Sequence, residues 1–297
     1  MENKALTSLR IYRAALLLCY ASVIIAYAVS VYALFKAPGV AVILINAVTL
    51  IYIFPVRLLD RQYNRAFAQA NILASHRVLL SDLAFAFRGD ITWRTLGAHH
   101  LFVHDESRSH MGCGITFRGQ HQDFTVETAD VTFSHPLNTH DAKRKMGFLS
   151  GVLIRIGLPH PADGDLLFFR GDRFANAIDF AHNAALVEVS GHPEDEWSQA
   201  LTAFLPAGMA PAERQSLLQM FQPLIERSGR SETPLAAKID RQHLLVFLQG
   251  RSLTPKAPLL MRLDRQLLEH SQLPELALSL DIAKRICARP PHTSITE

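Results

Sequence analysis

AALLLCYASVIIAYAVSVYALF, residues 14–35, decides the architecture, because this stretch contains no Asp, Glu, Lys, Arg or His. A second apolar stretch, VAVILINAVTLIYIF at residues 40–54, follows after a four-residue link. An α-helix needs about 20 apolar residues to cross the hydrocarbon core of a bilayer. We therefore predict a transmembrane helical hairpin over residues 14–56.

Positive charges flank both ends of the predicted hairpin. Lys and Arg residues near membrane spans are retained on the cytoplasmic side. The flanking residues are Lys4, Arg10 and Arg13 before the first span and Arg57, Arg61 and Arg65 after the second, with Lys36 alone in the link. The pattern predicts a multi-pass inner-membrane protein with a cytosolic basic N-terminus at residues 1–13 and a cytosolic C-terminal region. The alternative, a signal peptide cleaved near Ala28, would still leave the later residues in the cytosol.

The excess positive charge of the chain lies in its N-terminal segment. The basic residues of positions 1–56, offset by Glu2, account for the whole net charge of +3. The remaining chain is formally neutral, whereas nucleic-acid binding requires a basic surface. We predict no nucleic-acid partner.

Cys19, Cys113 and Cys287 are far apart in sequence and do not indicate a disulfide framework.

Residues 57–80 continue the helical pattern and predict a juxtamembrane helix. Arg57, Arg61 and Arg65 are four residues apart, which places them on one helix face. This face is a candidate contact with anionic lipid headgroups. The alternative is that the three arginines only determine topology.

Beyond residue 80 the sequence indicates a mixture of strands and helices. Alternating apolar residues predict a hairpin or a short meander between residues 112 and 133. Further strands are predicted at residues 152–156, 166–170, 185–189, 235–239 and 243–248, and helices are predicted to begin near Pro211 and Pro274. There is no regular βαβ alternation, so we predict an α+β cytosolic domain over residues 81–289. The sequence PPHTSITE predicts a disordered tail at residues 290–297.

His99, His100 and His104 form the tightest histidine group in the sequence. His100 and His104 have the i, i+4 spacing of helical zinc sites, but Leu101 stands where the metalloprotease motif requires Glu. The three histidines are therefore a candidate metal site, and the alternative is a solvated group without a metal.

Cys113 is a candidate nucleophile because His110, a candidate base, lies three residues before it. The flanking Gly112 and Gly114 offer the alternative of a glycine-rich turn that leads into a strand. Neither a dinucleotide-binding fingerprint nor a phosphate-binding loop occurs in the chain. We predict no cofactor.

Four stretches of the sequence are similar, in residue types and in their order, to stretches of a known protein family. They are Gly151–Leu153, Leu186–Val189 followed by Trp197, His243–Leu248, and a closing helix at residues 276–286. With the basic N-terminus and paired spans, this order resembles the bacterial membrane-anchored family catalogued as domain of unknown function 3137. The resemblance implies an uncharacterised bacterial membrane protein and supplies no catalytic residues.

These features favour a non-enzymatic interaction or assembly module tethered to the inner membrane. Its predicted partners are the lipid bilayer and other membrane or cytosolic proteins, including a second copy of the chain. Two alternatives remain open. One is a membrane-tethered hydrolase that uses the histidine group or Cys113. The other is an accessory subunit of a membrane transport complex.

Overall fold

The computed structural model describes residues 2–105, 109–136, 146–162, 164–170, 174, 177–190, 201–230, 235–253, 257–270 and 273–288. The chain divides into two compact units. The first comprises residues 1–76 and 254–272, and the second comprises residues 77–253 and 273–297. The predicted disordered tail at residues 290–297 and Trp197 both lie outside the described residues.

The described residues contain seven α-helices and one π-helical turn. The helices are α1 (Glu2–Leu34), α2 (Pro38–Ile51), α3 (Arg57–His76), α4 (Trp93–Gly97), α5 (Pro211–Arg230), α6 (Arg265–Glu269) and α7 (Glu275–Cys287). The π-helical turn, Tyr52–Val56, contains Pro55 and joins α2 to α3 without a loop. The two N-terminal apolar helices predicted from the sequence are confirmed.

In the first unit, α2, the π-helical turn and α3 form one continuous helix, and α1 packs antiparallel to it. We call this arrangement the helical pair. Leu9, Leu16 and Val23 of α1 are buried at intervals of seven residues. They share one apolar cluster with Val48 of α2 and with Tyr63 and Phe67 of α3, among others. Arg13 of α1 and Tyr63 of α3 donate hydrogen bonds to the carbonyl oxygens of Met261 and Pro258, so the N-terminal end of α1 and the beginning of α3 lie at the same end of the helical pair.

Residues 257–270 return to pack against α3 and complete the first unit. Leu263 and Leu268 are buried in the same apolar cluster as Tyr63. Asn71 is fully buried, and its amide donates hydrogen bonds to the carbonyl oxygens of Leu268 at 2.9 Å and His270 at 3.1 Å. The sequence pattern did not indicate this return, because its partners lie almost two hundred residues earlier in the chain.

In the second unit, the described residues form one sheet of nine strands. They are β1 (Ser81–Ala86), β2 (Met111–His121), β3 (Phe124–Pro136), β4 (Met146–Gly157), β5 (Leu166–Arg170), β6 (Leu186–Ser190), β7 (Leu201–Pro206), β8 (Leu235–Ile239) and β9 (His243–Gln249). The strand order is β1-β2-β3-β4-β9-β8-β5-β7-β6, and all neighbouring strands are antiparallel. The α+β prediction is confirmed.

Apolar side chains pack against both faces of this sheet. On one face, Phe102, Phe133, Phe174 and Phe247 form a buried aromatic group within the main core. On strand β5, Phe168 contacts Phe221 of α5 edge to face, with ring centroids 4.5 Å apart. The main core thus fixes the segment around Phe102, which also carries the three histidines of the predicted metal site.

Candidate functional site

The adjacent residues His99 and His100 enter two different polar groups. They follow the short helix α4, whose first turn is capped by the Thr92 side chain. The backbone φ angle of His100 is +50°, in the left-handed region that non-glycine residues seldom adopt. Each imidazole meets one aspartate and one further histidine, and both of these groups have the sequence pattern Asp-x-x-His.

The first group, here called the hairpin triad, consists of His99, Asp240 and His243. Asp240 and His243 lie at the turn between β8 and β9. His99 Nδ1 lies 2.5 Å from Asp240 Oδ2, and His243 Nδ1 lies 3.4 Å from Asp240 Oδ1. The two imidazole rings meet edge to face, with centroids 4.6 Å apart. His99 is buried, whereas His243 is partly exposed.

Hydrogen bonds hold the Asp240 side chain in its ionised form. Burial acts to raise the pKa of Asp240, but hydrogen bonds from His243, His99 and the Gln242 amide outweigh burial and lower it well below its usual range. The backbone amides of Gln242 and His243 donate to Asp240 Oδ1 at 2.9 Å and 2.7 Å. The carboxylate is therefore anionic near neutral pH and fixed in orientation.

The second group, here called the loop triad, consists of His100, Asp179 and His182. His182 Nδ1 lies 2.8 Å from Asp179 Oδ2, and His100 Nδ1 lies 3.6 Å from the same oxygen. The two imidazole rings are stacked, with centroids 4.1 Å apart and an angle of 10° between their planes. Burial, followed by the positive charges of His182 and Lys238, lowers the pKa of His100. The loop triad is more open to solvent, since the side chain of His182 is 60% exposed.

Lys238 is a buried amine beside both triads. It is only 4% exposed, and its ammonium donates hydrogen bonds to Asn183 Oδ1 at 2.6 Å and to the His100 carbonyl at 3.4 Å. Burial lowers the pKa of Lys238, although the nearby carboxylates Asp165, Asp240 and Asp179 act in the opposite direction. A buried amine with a lowered pKa is a common feature of functional sites.

This amine gives the stability of the protein a pH dependence. In the interval between the lowered pKa of Lys238 and its usual value of 10.5, the unfolded chain binds a proton that the folded chain has released. The free energy of unfolding therefore rises with pH across this interval, by about 1.4 kcal/mol for each pH unit by which the pKa is lowered. We expect Lys238→Met to remove this rise in urea-unfolding measurements made at increasing alkaline pH. Lys284→Met on α7, the matched control, should retain the rise seen in the original protein.

A row of charged residues extends from the hairpin triad across the same face of the sheet. Arg118, Glu127 and Arg155 are cross-strand neighbours on β2, β3 and β4, and the row continues through Leu245 to Lys238. Glu127 is buried and forms ion pairs with Arg118 and, at 2.8 Å, with Arg155. A cleft of about 290 Å³ lies over this row, and its lining includes His243.

The structure separates the three histidines of the predicted metal site. His99 belongs to the hairpin triad and His100 to the loop triad, and His104 belongs to neither. His104 lies beside Gly97 of α4, where a β-carbon added to the glycine would come within 3.6 Å of its Nδ1 atom. A metal site in this region would therefore combine one histidine of the pair with residues from distant segments.

Cys113 lies near the beginning of strand β2 rather than at a turn. Its thiol lies 3.4 Å from the Thr116 hydroxyl, at a cleft of about 350 Å³ that Asp130 also lines. His110 is exposed, and its backbone amide donates to Ser134 Oγ at 2.9 Å. Among the described contacts, none joins the side chains of Cys113 and His110.

Arg57, Arg61 and Arg65 are all exposed on α3, as a headgroup-binding face requires.

Sequence reasoning missed most of the residues at this site. Asp179, His182 and Asn183 lie in the string DFAHN, and Lys238, Asp240 and His243 lie in the string KIDRQH. The only signal was the repeated Asp-x-x-His spacing, which is short and common. The turn at residues 240–242 was predicted, but the partnership of its aspartate with a histidine 141 positions earlier depends on the fold.

Comparisons with known proteins give little further information about this chain. No protein-family model matches it, and no curated protein matches its sequence. Among solved structures, the chain is similar to the crystal structure of the mycobacterial trehalose monomycolate transport factor A, TtfA, with 8% sequence identity and a TM-score of 0.40. The match covers 76% of this chain and 99% of that chain. Similarity at this level does not establish a shared function, and the resemblance to domain of unknown function 3137 stays a prediction.

Proposed function

We propose that the chain is an inner-membrane protein, anchored by α1 and α2, whose α+β unit serves as a cytosolic interaction or assembly module. The exposure of apolar side chains along these helices carries the proposal. Both helical segments are long and apolar enough to cross a membrane, and only 17% and 19% of the residues in their most apolar stretches are buried. Ile24, Ile43 and Phe54 are each more than two-thirds exposed. The core helix of a soluble protein would bury such side chains.

The distribution of charge within the first unit supports the orientation. Arg10 and Arg13 on α1 lie at the same end of the antiparallel pair as Arg57 and Arg61 on α3. The side chains of Arg13 and Tyr63 both donate hydrogen bonds to carbonyl oxygens of the returning segment, those of Met261 and Pro258. Lys36 lies in the link at the opposite end. By the positive-inside rule, we expect this basic end to face the cytoplasm. The exposed face formed by Arg57, Arg61 and Arg65 would contact anionic headgroups.

Charged substitutions on the exposed face of α1 test the membrane anchor. Ile24→Arg/Ile25→Arg changes two side chains that are 68% and 63% exposed. In water such positions tolerate arginine at a cost of roughly 0.5 kcal/mol or less, whereas each arginine in a membrane span costs about 2.5–3.5 kcal/mol. We expect the double variant to be lost from the alkali-resistant membrane fraction. Ile11→Arg, at a position that is 65% exposed but outside the apolar stretch, should remain in it. Full membrane retention of the double variant would contradict the anchor.

A periplasm-specific reporter tests the orientation independently. We expect the reporter to be silent when fused after Arg65 and active when inserted near Pro38, because the short link would lie in the periplasm. Activity after Arg65 would contradict a cytosolic module.

The alternative of a thiol enzyme has less support, because among the described contacts the Cys113 thiol meets the Thr116 hydroxyl rather than a base. Two spans are too few to enclose a transport path, so a transport role would also require partners. Extraction of the full chain in mild detergent is expected to give a particle larger than one chain, containing either a second copy or another protein. A particle of one chain after chemical cross-linking in intact membranes would contradict the role.

A further inference from the structure

We propose that the hairpin triad, His99, Asp240 and His243, binds one divalent transition-metal ion of the zinc class. The proposal concerns residues of the second unit alone and does not depend on membrane anchoring. Two imidazoles and one carboxylate form a ligand set that suits zinc and neighbouring first-row metals. The possible ligand atoms of the triad all lie within 4.8 Å of one another. A zinc-class ion binds imidazole nitrogens and carboxylate oxygens at about 2.0–2.2 Å.

The surrounding structure fixes two of the three ligands. His99 is buried directly after α4, which restricts the positions that its imidazole can take. The Asp240 carboxylate is in turn held by two backbone amides of the β8–β9 turn. Hydrogen bonds from outside the ligand set orient ligands in known metal sites and strengthen binding.

The third ligand provides access to the ion. His243 is partly exposed and lines the cleft of about 290 Å³ that also borders Arg118 and Arg155. An ion held by three protein ligands keeps a coordination position open, as catalytic zinc sites do and structural zinc sites do not. In the hairpin triad this position would face the cleft. Water could therefore reach the ion from the cleft.

The loop triad serves as a comparison within the same protein. It has the same ligand types, but the His100 and His182 side chains are 43% and 60% exposed and their rings are stacked in nearly parallel planes. Solvent competes more strongly for exposed ligands, and fewer contacts fix their positions. We therefore assign the ion to the hairpin triad.

Metal analysis of the full chain in detergent micelles tests the assignment. After metal removal and reconstitution with cobalt(II), we expect one ion per chain and the visible absorption typical of four-coordinate cobalt with nitrogen and oxygen ligands. Loss of an outer-shell partner alone lowers metal affinity by about 10–100-fold. We expect the loss of a direct ligand in His243→Gln to lower affinity by about 100-fold or more. Asp240→Asn, which retains an oxygen for the two backbone amides, should have a similar effect if the glutamine variant does not fold.

Two matched histidine variants distinguish this site from its neighbours. His182→Gln removes a ligand of the loop triad, and His104→Gln removes the remaining histidine of the segment. Both should bind cobalt with the stoichiometry and affinity of the original protein. The proposal is overturned if no ion is retained, if His243→Gln and Asp240→Asn bind as the original protein does, or if His182→Gln or His104→Gln abolishes binding.

Discussion

Phe247→Ala is expected to destabilise the protein by about 3–5 kcal/mol, the cost of deleting a fully buried phenylalanine. Phe247 lies on β9 in the middle of the sheet, and none of its surface is exposed. Its ring contacts those of Phe102, Phe133 and Phe174, with centroids 5.3, 5.6 and 6.0 Å apart. Truncation would remove these contacts and leave a cavity between the three remaining rings. This is a large share of a total stability that is typically about 5–15 kcal/mol.

Urea unfolding of the full chain in micelles, followed by aromatic fluorescence and circular dichroism, would measure this loss. Phe148→Ala provides the matched control, because Phe148 lies on the adjacent strand β4 but is 75% exposed. We expect the control to change the free energy of unfolding by no more than about 0.5 kcal/mol. Equal effects of the two substitutions would contradict the assignment of Phe247 to the core.

Arg251→Met is expected to destabilise the second unit by about 3 kcal/mol, because it leaves a buried carboxylate without its cationic partner. Glu275, the first residue of α7, is only 1% exposed, and its Oε1 lies 3.1 Å from Arg251 Nη2. Loss of one partner of a buried ion pair commonly costs 3–5 kcal/mol. We expect a cost at the lower end of this range, because the N-terminus of α7 itself stabilises a negative charge by about 0.3–1 kcal/mol.

A second arginine of the same region provides the control for this experiment. Arg285 pairs with Asp281 on α7 at 2.8 Å, but both side chains are more than half exposed. Arg285→Met should therefore cost between about 0 and 1 kcal/mol. Adding Glu275→Gln to Arg251→Met should recover part of the lost stability, since the remaining buried group is then uncharged. No recovery, or equal costs for the two arginines, would show that charge burial is not the cause.

Local apolar patterns were enough to predict many of the elements but not their partners. Strands β5 and β8 were predicted at their observed bounds, because both are short, mainly apolar runs with an aspartate directly before β5 and directly after β8. Strand β1 was missed because it lies at the edge of the sheet and none of its residues is fully buried. The pairing of β4 with β9 joins Gly151 to Gln249, and no periodicity within either strand identifies the other.

The candidate site was harder to predict because its chemistry is assembled across the fold. The histidine pair at residues 99 and 100 was identified as a place for metal chemistry, but a helical spacing was used to choose its third member, His104. The backbone instead turns at His100, so the two imidazoles separate and each finds an aspartate and a histidine from a distant segment. A buried lysine such as Lys238 has no local signal at all, since its strand is otherwise apolar.

The π-helical turn at Tyr52–Val56 keeps the buried residues before and after it on the same side of the helix. Ala41, Val48, Val56 and Tyr63 are all buried, at successive spacings of seven, eight and seven residues. At about 100° per residue, seven residues return to nearly the same side of an α-helix, whereas eight overshoot by about 80°. The eight-residue step spans the π-helical turn, which absorbs the additional residue. Deleting one residue from the turn would therefore preserve the seam against α1, while the same deletion between Val56 and Tyr63 would rotate all of α3 out of alignment.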